Sequence, residues 1–225
     1  MFFKNKFGRL VLVFQYFQPQ WQNRQDEINY CVKKNLNCPF ISNWIIFSEN
    51  VSSLNHLING QQNLDSIEVL PLQRRLEYLD FLTLAKDPNA VYILINSDIE
   101  LVSGIHHFQK VRKKELWALS RWEGDSGPRM LGRESQDTWA VRGDNYLSCI
   151  PNLDDFKISL GLPGCENAFA GRLHQLGWKV KNFCYDIKTR HHHKTGLRSY
   201  SEFQRLPRPY YLPNPQKIPL WRYLQ

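Results

Sequence analysis

The chain has 225 residues, 42% of them hydrophobic and 13% aromatic, enough for one core of ordinary to large domain size. A formal charge of +8 points to an anionic partner: nucleic acid, a membrane surface or a phosphorylated small molecule. Cys31, Cys38, Cys149, Cys165 and Cys184 are odd in number and form no C-x-x-C pair, which argues against a disulfide frame, a zinc knuckle or thiol redox chemistry and for a reducing, cytoplasmic setting.

No run of about 18 apolar residues occurs, and the opening segment leads to no small-residue cleavage site, so neither a membrane span nor a signal peptide is expected. Residues 10–17 form a continuous apolar, β-branched and aromatic run, the pattern of an interior parallel strand. Gln18-Pro19-Gln20 breaks it. Asn23 can then cap a helix to about Asn35 with Ile28, Cys31 and Val32 on one face. Residues 44–49 read as a second strand, 51–65 as a loop or short helix, and 67–70 as a third strand. Apolar positions at helical spacing predict a helix over 74–85, ended by Asp87-Pro88-Asn89. From Ala90 a strand runs directly into Asn96-Ser97-Asp98.

Strand and helix alternating in this way predict a parallel α/β sheet. Further along, the pattern gives a short helix near 104–113, a strand over 116–120, a Gly-rich loop over 124–132 and a strand near 138–142. A helix over 168–176, which Gly177 ends, precedes a last strand over 180–183. Five prolines among aromatics from Pro207 onward predict an extended arm packed on the surface, so the chain divides into a domain over 1–206 and an arm over 207–225. Contact of that arm with a membrane surface is left open.

Chemistry concentrates in four places. In an open α/β sheet ligands bind at the carboxyl ends of strands, so Asn96, Asp98 and Glu100 stand where a metal or phosphate would be held, as Asn96-x-Asp98 or Asp98-x-Glu100. The plain alternative is a strand ending in an Asx turn. Glu166 follows Gly161-Leu162-Pro163-Gly164 at a helix start. It is either a carboxylate that complements the helix dipole or a general base. His191, His192 and His193 alternate along an extended segment, so His191 and His193 share a side and one of them could complete a metal shell, while Lys194 and Arg198 approach phosphates. Asp137 and Trp139 share a side of a strand, as a sugar contact or as a capped core indole.

Taken in order, Arg74-x-x-x-Tyr78-x-Asp80-Phe81, Ile95-Asn96-Ser97-Asp98-Ile99, Ser135-Gln136-Asp137-Thr138-Trp139, Leu162-Pro163-Gly164-Cys165-Glu166-Asn167 with Arg172-Leu173, and His191-x-His193-x-Thr195-Gly196-x-Arg198-x-Tyr200 resemble small GT-A type glycosyltransferase-like proteins of bacteria and large DNA viruses. The resemblance spans residues 10–200. It implies a single GT-A-like (Rossmann-like) domain with a mostly parallel central sheet flanked by helices, a nucleotide-diphosphate sugar donor, a glycan or other hydroxyl acceptor, and Mn2+ or Mg2+. By the same resemblance Asp98 is the metal-binding acid, with Asn96 replacing the first acid of the D-x-D pattern. His193 closes the metal site, His191 being the alternative, and Glu166 is the base of an inverting reaction. Gln15, Arg74, Asn96, Ser97, Asp137, Trp139 and Arg198 are implied as substrate contacts. Polysaccharide or glycan synthesis in the cytoplasm or at the membrane surface is the expected setting, with no nucleic-acid partner. A sugar nucleotidyltransferase would carry a Gly-rich loop after the first strand, which Phe17-Gln18-Pro19-Gln20 does not provide, and a non-catalytic glycan or nucleic-acid binding module is the other alternative.

Overall fold

The computed structural model describes residues 8–124, 127–128, 135–193 and 205–223. Strand β1 (Arg9–Tyr16) is buried almost throughout, and its side chains divide by the two-residue period of a strand. Leu10, Leu12, Phe14 and Tyr16 enter one apolar layer, whereas Val11 and Val13 enter the other. Helix α1 (Gln22–Leu36) covers the first layer with Ile28, Val32 and Leu36. Strand β2 (Asn43–Ser48), the one-turn helix α2 (Asn55–Ile58) and strand β3 (Ile67–Pro71) follow. Helix α3 (Tyr78–Leu84) puts Tyr78, Phe81 and Leu82 into the second layer. Each side chain fully removed from water in these layers contributes about 1.5–3 kcal/mol.

Strand β4 (Ala90–Ile95) is followed by β5 (Ile99–Ser103), a 3-10 turn Ile105–Lys110, β6 (Glu115–Ser120), β7 (Gln136–Arg142), helix α4 (Cys165–Gln175), β8 (Lys179–Lys181) and β9 (Lys188–His191). The central sheet has the order β3-β2-β1-β4-β7-β6-β8. β7 runs antiparallel to both its neighbours and the other pairings are parallel, so the expected mostly parallel α/β sheet flanked by helices is present. Chain order runs outward from β1 to β3, then resumes on the other side of β1 at β4. This reversal makes the carboxyl ends of β1 and β4 a topological switch point, the place where open α/β sheets bind ligands. Because β7 is antiparallel, its first residues lie at that same end.

Three expectations need correction. The helix expected from Arg74 begins at Tyr78, because the Gln15 amide takes the Leu76 N–H and donates to the Arg74 carbonyl, and a capping box of Glu77 and Asp80 then starts the helix. The helix expected from Ala168 begins earlier, at Cys165, after Gly164 in the left-handed conformation (φ 79°). The segment after Asp98 turns and forms β5, which pairs with β9 as a separate two-stranded antiparallel sheet.

Candidate active site

The turn after β4 carries the first group of side chains. Ile99 N–H donates to the Asn96 carbonyl at 3.1 Å, closing a tight turn that buries Ser97 and Asp98. The β5–β9 pairing places Ile99 opposite His191, so the end of β9 lies over this turn, and His192 N–H donates to the Asp98 carbonyl at 2.9 Å. His191 Nε2 is 3.1 Å and His193 Nδ1 3.9 Å from Asp98 Oδ2, and one ligand atom from each of the three residues lies within 4.8 Å of the others. Both histidines named from the sequence therefore face the acid.

His192 points the other way, with Nε2 2.7 Å from Glu100 Oε2. Glu100 is thus engaged outside the Asp98 group, and Asp98-x-Glu100 does not act as a pair. From α1, Arg24 reaches across to donate to Asp98 Oδ2, to Glu27 and to the His192 carbonyl. Burial alone would raise the Asp98 pKa, but the His191 hydrogen bond and charge and the Arg24 guanidinium outweigh it and hold the carboxyl well below the usual range.

Ligand atoms about 2.1 Å from one ion stand about 3 Å apart at neighbouring octahedral positions and about 4.2 Å apart at opposite ones. The two separations from Asp98 Oδ2, 3.1 and 3.9 Å, lie between those values, and the donor set of one carboxylate and two imidazoles suits a divalent transition ion better than Mg2+. A carboxylate has about four lone-pair sites, so Arg24 and an ion can share it.

The second group stands across the same turn. Asn96 Nδ2 donates to Asp137 Oδ1 at 2.7 Å, and Arg121 Nη1 donates to Asp137 Oδ2 at 3.0 Å. Asp137 is at the start of β7 and Arg121 just past the end of β6, so the antiparallel strand brings them to one edge. Glu166, in the first turn of α4, is partly buried and accepts from the Cys165 thiol at 3.4 Å. Burial, reinforced by the Asp137 charge and only partly offset by its own backbone N–H, Cys165 and Arg121, pushes its pKa up to about 7. Asp98 with the histidines and Asp137 are therefore joined through Asn96-Ser97-Asp98, and Glu166 lies close enough to feel the Asp137 charge.

The remaining expected contacts have other surroundings. Gln15 spends its amide on the loop before α3, and Arg74, half exposed, is held bidentately by Asp80 at 2.8 Å. Trp139 is 1% exposed and packs edge-on to Tyr78 within the core. Arg198 lies outside the described residues. Sequence reasoning missed Arg24, which no motif marks, and Arg121, which the strand-end rule applied to β6 would have found.

No protein-family model and no curated protein matches the chain. Among solved structures it is similar to a mannosyltransferase from Pyrobaculum calidifontis in complex with GDP-mannose and Mn2+, with 9% identity and a TM-score of 0.50 over 78% of this chain and 55% of that one. S. aureus TarS gives 9% identity and a TM-score of 0.48 over 77% and 35% of the two chains. The galactosyltransferase LgtC, in complex with donor and acceptor sugar analogues, gives 11% and 0.44 over 76% and 72%. The chain spans about half the length of the mannosyltransferase and about a third of TarS. With identity this low the likeness is one of fold, and on that ground the chain is a single α/β domain with a GT-A-like fold.

Proposed function

We propose that this protein transfers a sugar from a nucleotide-diphosphate sugar to an acceptor hydroxyl, with inversion at the anomeric carbon, in the synthesis of a polysaccharide or glycan. What carries the reading is the meeting, at the carboxyl ends of β4 and β6, of the Asp98–His191–His193 group with the Asp137–Glu166 group. Asp98, His191 and His193 would hold a divalent ion, Mn2+ in preference to Mg2+ because two of the ligands are imidazoles. Such an ion, when bound, offsets charge on the departing diphosphate.

Arg24 keeps Asp98 ionised and oriented. Asp137, itself oriented by Arg121 and Asn96, accepts from a donor-sugar hydroxyl, while Ser97, buried in the same turn, borders the nucleotide. Glu166 takes the proton of the acceptor hydroxyl as the oxygen bonds to the anomeric carbon, and the bond from that carbon to the diphosphate oxygen breaks on the opposite side. A carboxylate with a pKa near 7 suits this role at neutral pH.

Thermal unfolding with a panel of nucleoside diphosphates and nucleotide sugars, with and without Mn2+, tests the reading. One donor class at about 100 times its Kd should raise Tm by roughly 5–10 °C. Asp98→Ala should remove the Mn2+-dependent part. No shift with any donor, or an undiminished Mn2+ effect in the variant, overturns the assignment.

A further inference from the structure

A second charged surface lies at the opposite end of the sheet, where β6 and β8 begin. A groove of about 420 Å3 is bordered there by Arg112, Lys113, Lys114, Lys179 and Lys181. Lys179 and Lys181 alternate with the buried Val180, so both project from the same side of the edge strand. The only carboxylate among the described residues lining the groove is Glu115, which is bound by Arg222 through both guanidinium Nη atoms, at 2.6 and 3.0 Å.

That buried pair fixes the 3-10 turn Leu220–Tyr223 against the groove and turns its other side chains outward. Leu220 is 83%, Trp221 48% and Tyr223 46% exposed. The Arg112 guanidinium lies 4.7 Å over the Trp221 ring, and Lys110 Nζ lies 4.2 Å over the Tyr223 ring. Exposed leucine beside tryptophan and tyrosine, ringed by basic side chains, is the composition of an interfacial anchor. Indole and phenol sit at headgroup depth, the aliphatic chain goes below, and lysine and arginine meet anionic headgroups. A nucleic acid would use the rings and the charges, but it offers no apolar destination for Leu220.

We propose that this face docks the protein on an anionic lipid surface, with Leu220 and Trp221 inserted and Lys114, Lys179 and Lys181 against the headgroups. The carboxyl ends of β1 and β4 then face away from the lipid, because β6 runs parallel to β4 and the two ends are opposite.

Sedimentation with phosphatidylcholine vesicles, with and without phosphatidylserine, tests this on the full chain. The protein should pellet with the phosphatidylserine vesicles only, and less as salt is raised. Brominated lipid should quench its tryptophan fluorescence, and Trp221→Phe should remove most of that quenching. Lys179→Glu with Lys181→Glu should weaken binding at least tenfold, since each basic group near the surface is worth about fivefold. Arg75→Glu with Lys157→Glu, an equal charge change on the loops beside the carboxyl end of β1, should leave it within about twofold. Absence of vesicle binding, equal loss in that control variant, or retention by a single-stranded oligonucleotide without vesicle binding overturns the proposal.

Discussion

Glu166 is held between opposing influences. Burial and the Asp137 carboxylate favour its neutral form, whereas the helix N-terminus, the Cys165 thiol and Arg121 favour the charged one, and the balance leaves a pKa of about 7. A base must be deprotonated to act, so transfer is expected to rise with pH through about 7 and level off above it. Glu166→Gln should lower turnover by about 10²–10⁴ with donor affinity little changed, measured by single-turnover transfer and donor titration. A flat profile across this range would remove Glu166 from the role. The same shift acts on stability. The folded pKa lies above the unfolded value of about 4.3, so the stability contribution is full below that value and is lost as pH rises through 7. At about pH 8 Glu166→Gln is therefore expected to melt higher than the wild type, by up to roughly 3 kcal/mol in stability.

Helix α1 is the element that sets the metal-side geometry. Near its start Arg24 binds Asp98, and near its end Asn35 donates to the Ile99 carbonyl at 2.7 Å and accepts from Leu101 N–H at 2.9 Å. The Asn35 amide thereby substitutes for a neighbouring strand along β5. Asn35→Ala would leave two buried backbone groups unpartnered, at a cost of about 2–4 kcal/mol. A fall in Tm, together with weaker Mn2+ binding by calorimetry, is the expected outcome, and unchanged Mn2+ affinity would show that α1 does not position the turn. This dependence on tertiary partners also explains what sequence could reveal. β1, β2 and β4 are long apolar runs that announce themselves, but β5 is five residues whose bonds come from Asn35 and from β9, nearly ninety positions away. The start of α3 was hidden for a similar reason, since Leu76 fits the helical spacing while its N–H belongs to Gln15. At the site, the positions of Asp98 and Glu166 were legible because a strand end and a helix start mark them, and the facing of His191 and His193 because alternate residues of an extended segment share a side. Trp139 was ambiguous because a core indole and a sugar platform look alike in sequence.

Over the whole molecule, residues 205–223 form a strap that joins the candidate active site to the far end of the sheet. Leu206 N–H donates to the Pro163 carbonyl, Tyr211 N–H to that of Asn167, and Gln216 N–H to that of Asn182. At Gly164 an added Cβ would meet the Tyr210 hydroxyl at 2.8 Å, so the strap lies close over the start of α4. Its last anchor is Arg222 on Glu115, with side chains 4% and 6% exposed. Burial alone would raise the Glu115 pKa, but the Arg222 hydrogen bonds and charge, with Trp117 Nε1–H, hold it below its ordinary value. This contribution is therefore present above the unfolded pKa and is lost as pH falls through the folded one. Removing the cation alone leaves a buried carboxylate unpaired, which costs about 3–5 kcal/mol. Arg222→Ala is accordingly expected to lower Tm at neutral pH by about 10 °C, with a smaller loss under acid conditions that protonate Glu115. Glu115→Gln combined with Arg222→Met removes both charges and should recover much of that stability. If the double variant melts no higher than Arg222→Ala, the strap is held by its backbone bonds and apolar contacts rather than by this ion pair.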